Sequence, residues 1–344
     1  MDKIVECVPN FSEGRDMAVI KAITDEIEKT EGAKLLDVDP NGDYNRVVVT
    51  FVGDTTSVWE AAFAATAKAT SLIDMTAHKG EHPRMGATDV VPFIPVRGVS
   101  MDDCVEIAKK YGMEVGEKLR IPVYLYEYAA SRPERKNLAA VRKGEYEALA
   151  EKLKDPAWKP DFGPASFNAS TGATATGARV FLIAYNVNLA TDDVGIANQI
   201  AMRIRQSGRP VRDEQGKVVK DEKGKTKRIP GSLKAVKAMG VPLEEHGITQ
   251  VSINLVNYEI TPPHIAFKEV SKEAESLNVK ATGSEIVGMT PLTPMILAGK
   301  YFLGKAGEST EASEEKLVQA AIEGLGLSQL APFKPQEKII EYRI

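Results

Sequence analysis

Apolar and polar side chains alternate through Lys3-Ile4-Val5-Glu6-Cys7-Val8 and stop at Pro9, which predicts a first strand. Asn10-Phe11-Ser12-Glu13-Gly14 reads as a polar turn, and Ile20, Ile23 and Ile27 then mark one face of a helix. Strands are predicted over 34–39 and 46–53, separated by the turn-forming Pro40-Asn41-Gly42-Asp43. From 56 to 72 an alanine-rich helix sets Val58, Ala61, Ala62, Ala65 and Ala69 along a narrow seam. A fourth strand over 90–96 carries Pro92 and Pro95, which predicts an edge or irregular strand. This order, β-α-β-β-α-β, is that of the ferredoxin-like unit. Helices are predicted at 101–119, opened by a capping box from Ser100 to Asp103, and at 138–154, with a strand over 121–126 between them.

The second half repeats the order. Strands are predicted over 178–187, 232–239, 249–256 and 283–289, with helices over 192–205 and 262–277. The fold class is therefore α/β (α+β), two ferredoxin-like βαββαβ subdomains from an apparent duplication. The crevice between duplicated halves is a natural ligand site. Within the second half, residues 209–228 are dense in charge and glycine, and read as either a charged lid or anion-binding arm or an exposed hairpin insertion.

Length and composition narrow the function. A chain of 344 residues, 43% hydrophobic and 27% charged, can bury two cores and is not disordered. Its net charge of −4 offers no basic footprint for nucleic acid and no polybasic patch for a membrane. Neither a signal peptide nor a run of about 18 apolar residues is present. Cys7 and Cys104, far apart and without a partner motif, read as small buried hydrophobes in a reducing compartment, so the cytoplasm is expected.

Four histidines occur, and two lie in Ala77-His78-Lys79-Gly80-Glu81-His82-Pro83-Arg84-Met85-Gly86. His78-x-x-Glu81-His82 has the spacing of a helical zinc motif, but Gly80 and Pro83 spoil the helix that such a motif needs, so no metal is expected. The better reading is a loop presenting His82, whose imidazole can take and give a proton near neutral pH. Glu81 and Arg84 flank it. Asp37 and Asp39 fall on one face of a strand, with Arg46 just beyond the following turn and Asn10 at a neighbouring strand end. The segment Gly163-Pro164-Ala165-Ser166-Phe167-Asn168-Ala169-Ser170-Thr171-Gly172, continuing to Gly177, reads equally as an interdomain linker or as a loop that closes on a ligand.

Val8-Pro9-Asn10-Phe11-Ser12-Glu13-Gly14, Gly80-Glu81-His82-Pro83-Arg84-Met85-Gly86-Ala87, Gly172-Ala173-Thr174-Ala175-Thr176-Gly177 and Leu330-Ala331-Pro332-Phe333-Lys334-Pro335 together resemble the glutamate formiminotransferases, over nearly the whole chain and in order. The resemblance implies subdomains 1–178 and 179–344, a homodimer, and transfer of a formimino group from N-formimino-L-glutamate to tetrahydrofolate, the co-substrate. It implies that His82 is the catalytic histidine and that Gly163 to Gly172 contact folate in a cleft between subdomains. It also leaves no room for the cyclodeaminase domain fused to the animal enzymes. Asp39 is expected to orient His82 or hold the amidinium-like group, with Asn10, Arg46 and Arg84 on the substrate, the arginines because guanidinium forks bind carboxylates.

Overall fold

The alternating first segment forms β1 (Ile4–Cys7), but Asn10–Phe11, expected in a turn, form a short strand β2. Both pair with the same two neighbours, so Val8 and Pro9 merely interrupt one line of strand. Helix α1 (Met17–Lys29) starts at Asp16, whose carboxylate accepts the Ala18 and Val19 amides, and buries Ile20, Ile23 and Ile27. Then follow β3 (Lys34–Asn41), β4 (Arg46–Gly53), α2 (Ser57–Leu72), β5 (Thr88–Arg97) and α3 (Met101–Glu114). The predicted Ser100–Asp103 capping box opens α3. In this computed structural model, residues 3–344 are described and form two compact units, one reaching Val180 and the other running Phe181–Arg343.

The first unit adds α4 (Leu138–Val141) and α5 (Leu149–Lys152) after the strand β6 (Val123–Glu127), and closes with β7 (Thr174–Ala178). The single helix expected over 138–154 is broken, because Gly144 and Glu145 both take positive φ. The sheet runs β3-β4-β1/β2-β5-β7-β6, with the ferredoxin-like strands antiparallel and β7 and β6 added parallel.

Each of two open sequence readings loses one alternative here, and the irregular reading of β5 holds, since its register shifts against both β1 and β2. Strand β5 is central, not an edge, because both proline nitrogens face interruptions in the neighbouring strands. Pro92 faces the β1–β2 break, where its carbonyl accepts the Val8 amide, and Pro95 lies beyond the Phe93–Ala178 pair that ends β7. The small, polar 163–177 segment is not an interdomain linker either, since Thr174–Ala178 is a buried sheet strand. The hydroxyls of Thr174 and Thr176 donate to Thr88 O and Val91 O, which is how a strand so poor in apolar bulk satisfies its buried polar atoms. The strand expected over 178–187 is accordingly two strands, the second being β8 (Ile183–Leu189).

Val47, Val49, Phe51, Val91 and Phe93 face α1, α2 and α3 across one core. Each such fully buried side chain contributes roughly 1.5–3 kcal/mol. Register places Asp39, Val48, Asn10, Val90, Ala175 and Tyr124 in one row on the opposite face. There α4 and α5 cover Val90, Tyr124 and Ala175, while Asn10 and Asp39 stay half-buried.

The second unit continues from β8 through α6 (Val194–Ile204), β9 (Arg209–Pro210), β10 (Arg228–Ile229), β11 (Val236–Leu243), β12 (Ile248–Leu255), α7 (Pro263–Glu275) and β13 (Ala281–Val287). Its antiparallel order β11-β12-β8-β13 is again ferredoxin-like. Helices α8 (Leu292–Lys305) and α9 (Glu314–Leu325), not anticipated from the sequence, complete its core. The charged insertion is an exposed arm with two successive turns, Asp213–Lys217 and Asp221–Lys225, eight residues apart. In each, one aspartate, Asp213 or Asp221, accepts two amides of its own turn. No helix among the described residues is long and apolar enough to cross a membrane.

Arg135 is fully buried beside β6, bonded to Asp161 at 2.8 Å and to the Ala157 and Lys159 carbonyls. Its guanidinium lies over the rings of Tyr124 and Trp158. Arg135→Ala should therefore cost the first unit about 3–5 kcal/mol, because Asp161 would be left with an uncompensated charge. Both tryptophans, Trp59 and Trp158, lie in this unit, so urea unfolding followed by fluorescence measures the loss.

Candidate active site

The His82 loop joins α2 to β5 and is not helical, as Gly80 and Pro83 require. It lies against the β3–β4 turn, where Tyr44 O and Asp43 O accept the His82 and Glu81 amides, both at 3.4 Å. The approach is close at Gly80, where a Cβ would sit 2.3 Å from Tyr44 O. Asn45 organises this junction from a left-handed backbone, φ 47°. Its Oδ1 accepts the Gly14 amide at 3.0 Å and its Nδ2 donates to Lys79 O at 3.0 Å. His78 Nε2 donates to Asn45 O at 2.9 Å, and His78 Nδ1 accepts Arg84 Nε at 3.2 Å. Both nitrogens of His78 are thus engaged in holding the loop.

Arg84 is 6% exposed and fully engaged. Its two terminal nitrogens bond Glu147 at 2.9 and 2.7 Å, and its guanidinium lies over the Tyr146 ring. The Tyr146 hydroxyl donates to Ala169 O at 2.5 Å, which ties the His82 loop to residues 163–172. That second loop is anchored at several points. Asn168 receives the Ser170 amide and hydroxyl, Ser170 O accepts the Met75 amide, and Gly172 bridges Gly86. Gly172 has φ +67°, and a Cβ there would lie 2.1 Å from Met85 O. Ala165 to Ser170 remain exposed, with Phe167 tilted against Tyr146.

His82 itself is half-buried, and its Nδ1 has no protein partner. Desolvation, followed by the cations Arg142, Arg46, Arg84 and His78, pushes its pKa down to about 3. The imidazole is therefore neutral near pH 7, and a weak base while the site is empty of counter-charge. Burial also lowers the pKa of Arg46, against the opposing effect of Asp39. No hydrogen bond joins Asp39 to His82; its charge acts on Arg46, and Val48 of β4 separates it from Asn10 in the sheet row. Among the described residues no group of three or more histidine, cysteine, aspartate or glutamate side chains could hold a metal.

The sequence reading noted Asn45 beside Arg46 without a role for it, and missed Arg142 and Asp89. Arg142 follows α4 and pairs with Asp89, which is fully buried where β5 bulges opposite Asn10 and Phe11. No local pattern marks either residue. Arg142 looks like the solvated face of a helix, and Asp89 like a polar start to an apolar strand.

Fold and site together define a duplicated ferredoxin-like protein with a desolvated histidine set among arginines. Residues 4–179 match the formiminotransferase domain, N-terminal subdomain, and 184–344 match the formiminotransferase domain. The chain is 44% identical over 303 residues to the glutamate formimidoyltransferase of Streptococcus pyogenes serotype M1, covering 88% of this chain and 94% of that protein. It is also 44% identical to the enzyme of that name from Thermoplasma acidophilum, covering 92% and 98%. The formimidoyltransferase-cyclodeaminase of Rattus norvegicus is 48% identical over all of this chain, which spans only 60% of that protein's length. The chain belongs to the formiminotransferase family.

Two outcomes follow from this geometry. Asn45→Ala removes two hydrogen bonds and places a less tolerant residue at positive φ, so it should cost about 2–3 kcal/mol, measured by denaturant unfolding. His82 has its folded pKa below the ordinary 6.5. As pH falls from 6.5 towards 3, the unfolded chain binds a proton that the folded chain refuses, so stability falls through that window. His82→Gln should remove this component. Unfolding free energies with the same pH slope in both proteins would contradict the assignment.

Proposed function

We propose that this protein transfers the formimino group of N-formimino-L-glutamate to tetrahydrofolate, giving 5-formiminotetrahydrofolate and L-glutamate. The observation that carries the reading is the neutral, desolvated imidazole of His82 beside unpartnered guanidinium donors, in a chain matching glutamate formimidoyltransferases over almost their full length. The reaction needs a base for the attacking amine, an acid for the departing amine, and cations for a donor with two carboxylates.

The folate N5 lone pair attacks the formimino carbon to form a tetrahedral intermediate. His82 takes the N5 proton and returns it to the glutamate nitrogen as the carbon–nitrogen bond to glutamate breaks, so no proton is gained or lost. Asp39 and Asn10 line the sheet face on which the amidine group lies. Residues Gly163 to Gly172 hold folate, offering the exposed ring of Phe167 and the backbone of Ala165 to Ser170. The reading includes a homodimer in the cytoplasm. With a net charge of −4, nucleic acid and membranes are not among its partners.

The test is to mix protein, tetrahydrofolate and formiminoglutamate and follow folate absorbance, with formylglutamate as a parallel donor. Transfer from the first donor is expected; transfer from formylglutamate alone would reassign the donor, and transfer from neither would end the proposal. His82→Ala should keep the circular dichroism of the parent and tetrahydrofolate binding within a few-fold, while turnover falls by roughly 10²–10⁴. Near-normal turnover would remove His82 from the mechanism.

A further inference from the structure

Three guanidinium groups act on His82, and they are not equivalent. Arg84 has all its nitrogens committed, to Glu147 and His78. Arg142 donates one terminal nitrogen to Asp89, and its buried Nε has no protein partner. Arg46 likewise has a buried Nε without a partner. Asp89 is fully buried, and its second oxygen accepts the Met85 amide at 2.9 Å, so it is a fixed support for Arg142 and not a mobile counterion. Donor capacity that no protein group uses is therefore gathered on Arg46 and Arg142, next to the imidazole.

We infer that Arg142, supported by Asp89, binds a carboxylate of the donor together with Arg46, and that Arg84, the arginine adjacent in sequence to the His82 motif, instead braces the loop. This rests on the proposed donor being a glutamate derivative. The guanidinium fork of Arg142 presents parallel N–H groups to a carboxylate, and Asp89 fixes its orientation as an outer-sphere carboxylate fixes a binding arginine.

The placement has a consequence for acid/base chemistry. The charged groups around His82 are Arg46 on β4, Arg84 and His78 in its own loop, and Arg142 beyond α4. Asp39 acts on Arg46, and Asp89 and Glu147 are the partners of Arg142 and Arg84. A carboxylate bound on Arg142 and Arg46 offsets their effect on the imidazole and raises its basicity. Donor binding thus prepares His82 to hold the proton between the two halves of the transfer.

Steady-state kinetics and NMR titration of His82 test the inference in the full chain, using glutarate as an unreactive dicarboxylate. In the parent protein glutarate should raise the His82 pKa by at least one unit. Arg142→Gln should raise KM for formiminoglutamate on the order of 10²-fold, leave KM for tetrahydrofolate within about threefold, and abolish the glutarate response. Arg142→Lys, which keeps the charge but not the fork, should raise the donor KM about tenfold and retain a weakened response. It carries the test if the glutamine variant does not fold. A parent-like donor KM and a parent-like glutarate response in the folded variant overturn the inference. Failure of the parent protein to use formiminoglutamate overturns the donor reading instead, and is distinguished because it occurs without any substitution.

Discussion

The site depends on Asn45. A single residue in a left-handed turn joins the amide of Gly14, the carbonyl of Lys79 and the ring of His78, and so locks three loops from distant parts of the first unit. Asparagine suits the position because its short amide tolerates positive φ and offers a donor and an acceptor at once. Once this junction is set, the neighbouring elements follow. The β3–β4 turn carries Arg46, the Gly14 segment follows Asn10, and the His82 loop closes over both.

The second constraint is electrostatic. Desolvation and the surrounding cations keep the half-buried imidazole neutral, and each guanidinium is disposed differently. Arg84 is neutralised by Glu147 and helps to brace the loop against Tyr146, whose hydroxyl reaches Ala169. Arg142 is carried by a fully buried aspartate. Arg46 lies over the Tyr44 ring and feels Asp39 and Asp89 only from a distance. In the proposed reading, a donor with two carboxylates supplies the counter-charge that these guanidinium groups lack.

Duplication supplies two sheets of the same order, but the units are elaborated differently. The first extends its sheet with parallel strands β7 and β6, and loop 163–172 is the connection that enters β7. That loop is held by Gly172 against Gly86 at the start of β5, so it is fixed relative to the His82 loop by backbone pairing. The second unit extends with helices α8 and α9 and keeps a purely antiparallel sheet. Asn10 and Asp39 of the first unit lie on the sheet face opposite helices α1 to α3, Asn10 on a strand paired on both sides and Asp39 on the edge strand β3.

By itself the sequence determined the βαββαβ order twice, through the two-residue alternation of the strands and the Ile20, Ile23 and Ile27 spacing, because those periods report which side of an element meets a core. It also determined that His82 sits in a loop, since Gly80 and Pro83 act locally on the backbone, and motif resemblance named the family. Tertiary structure alone decided that Pro92 and Pro95 belong to a central strand, because a missing donor is harmless only where the neighbouring strand is interrupted. It alone placed Thr174–Ala178 inside the sheet, because small residues give no periodic signal and their hydroxyls find partners only across strands. It alone divided the roles of the arginines. Whether a guanidinium is engaged or free depends on which carboxylate lies opposite, Glu147 or Asp89, and such pairings join residues 53 to 63 positions apart.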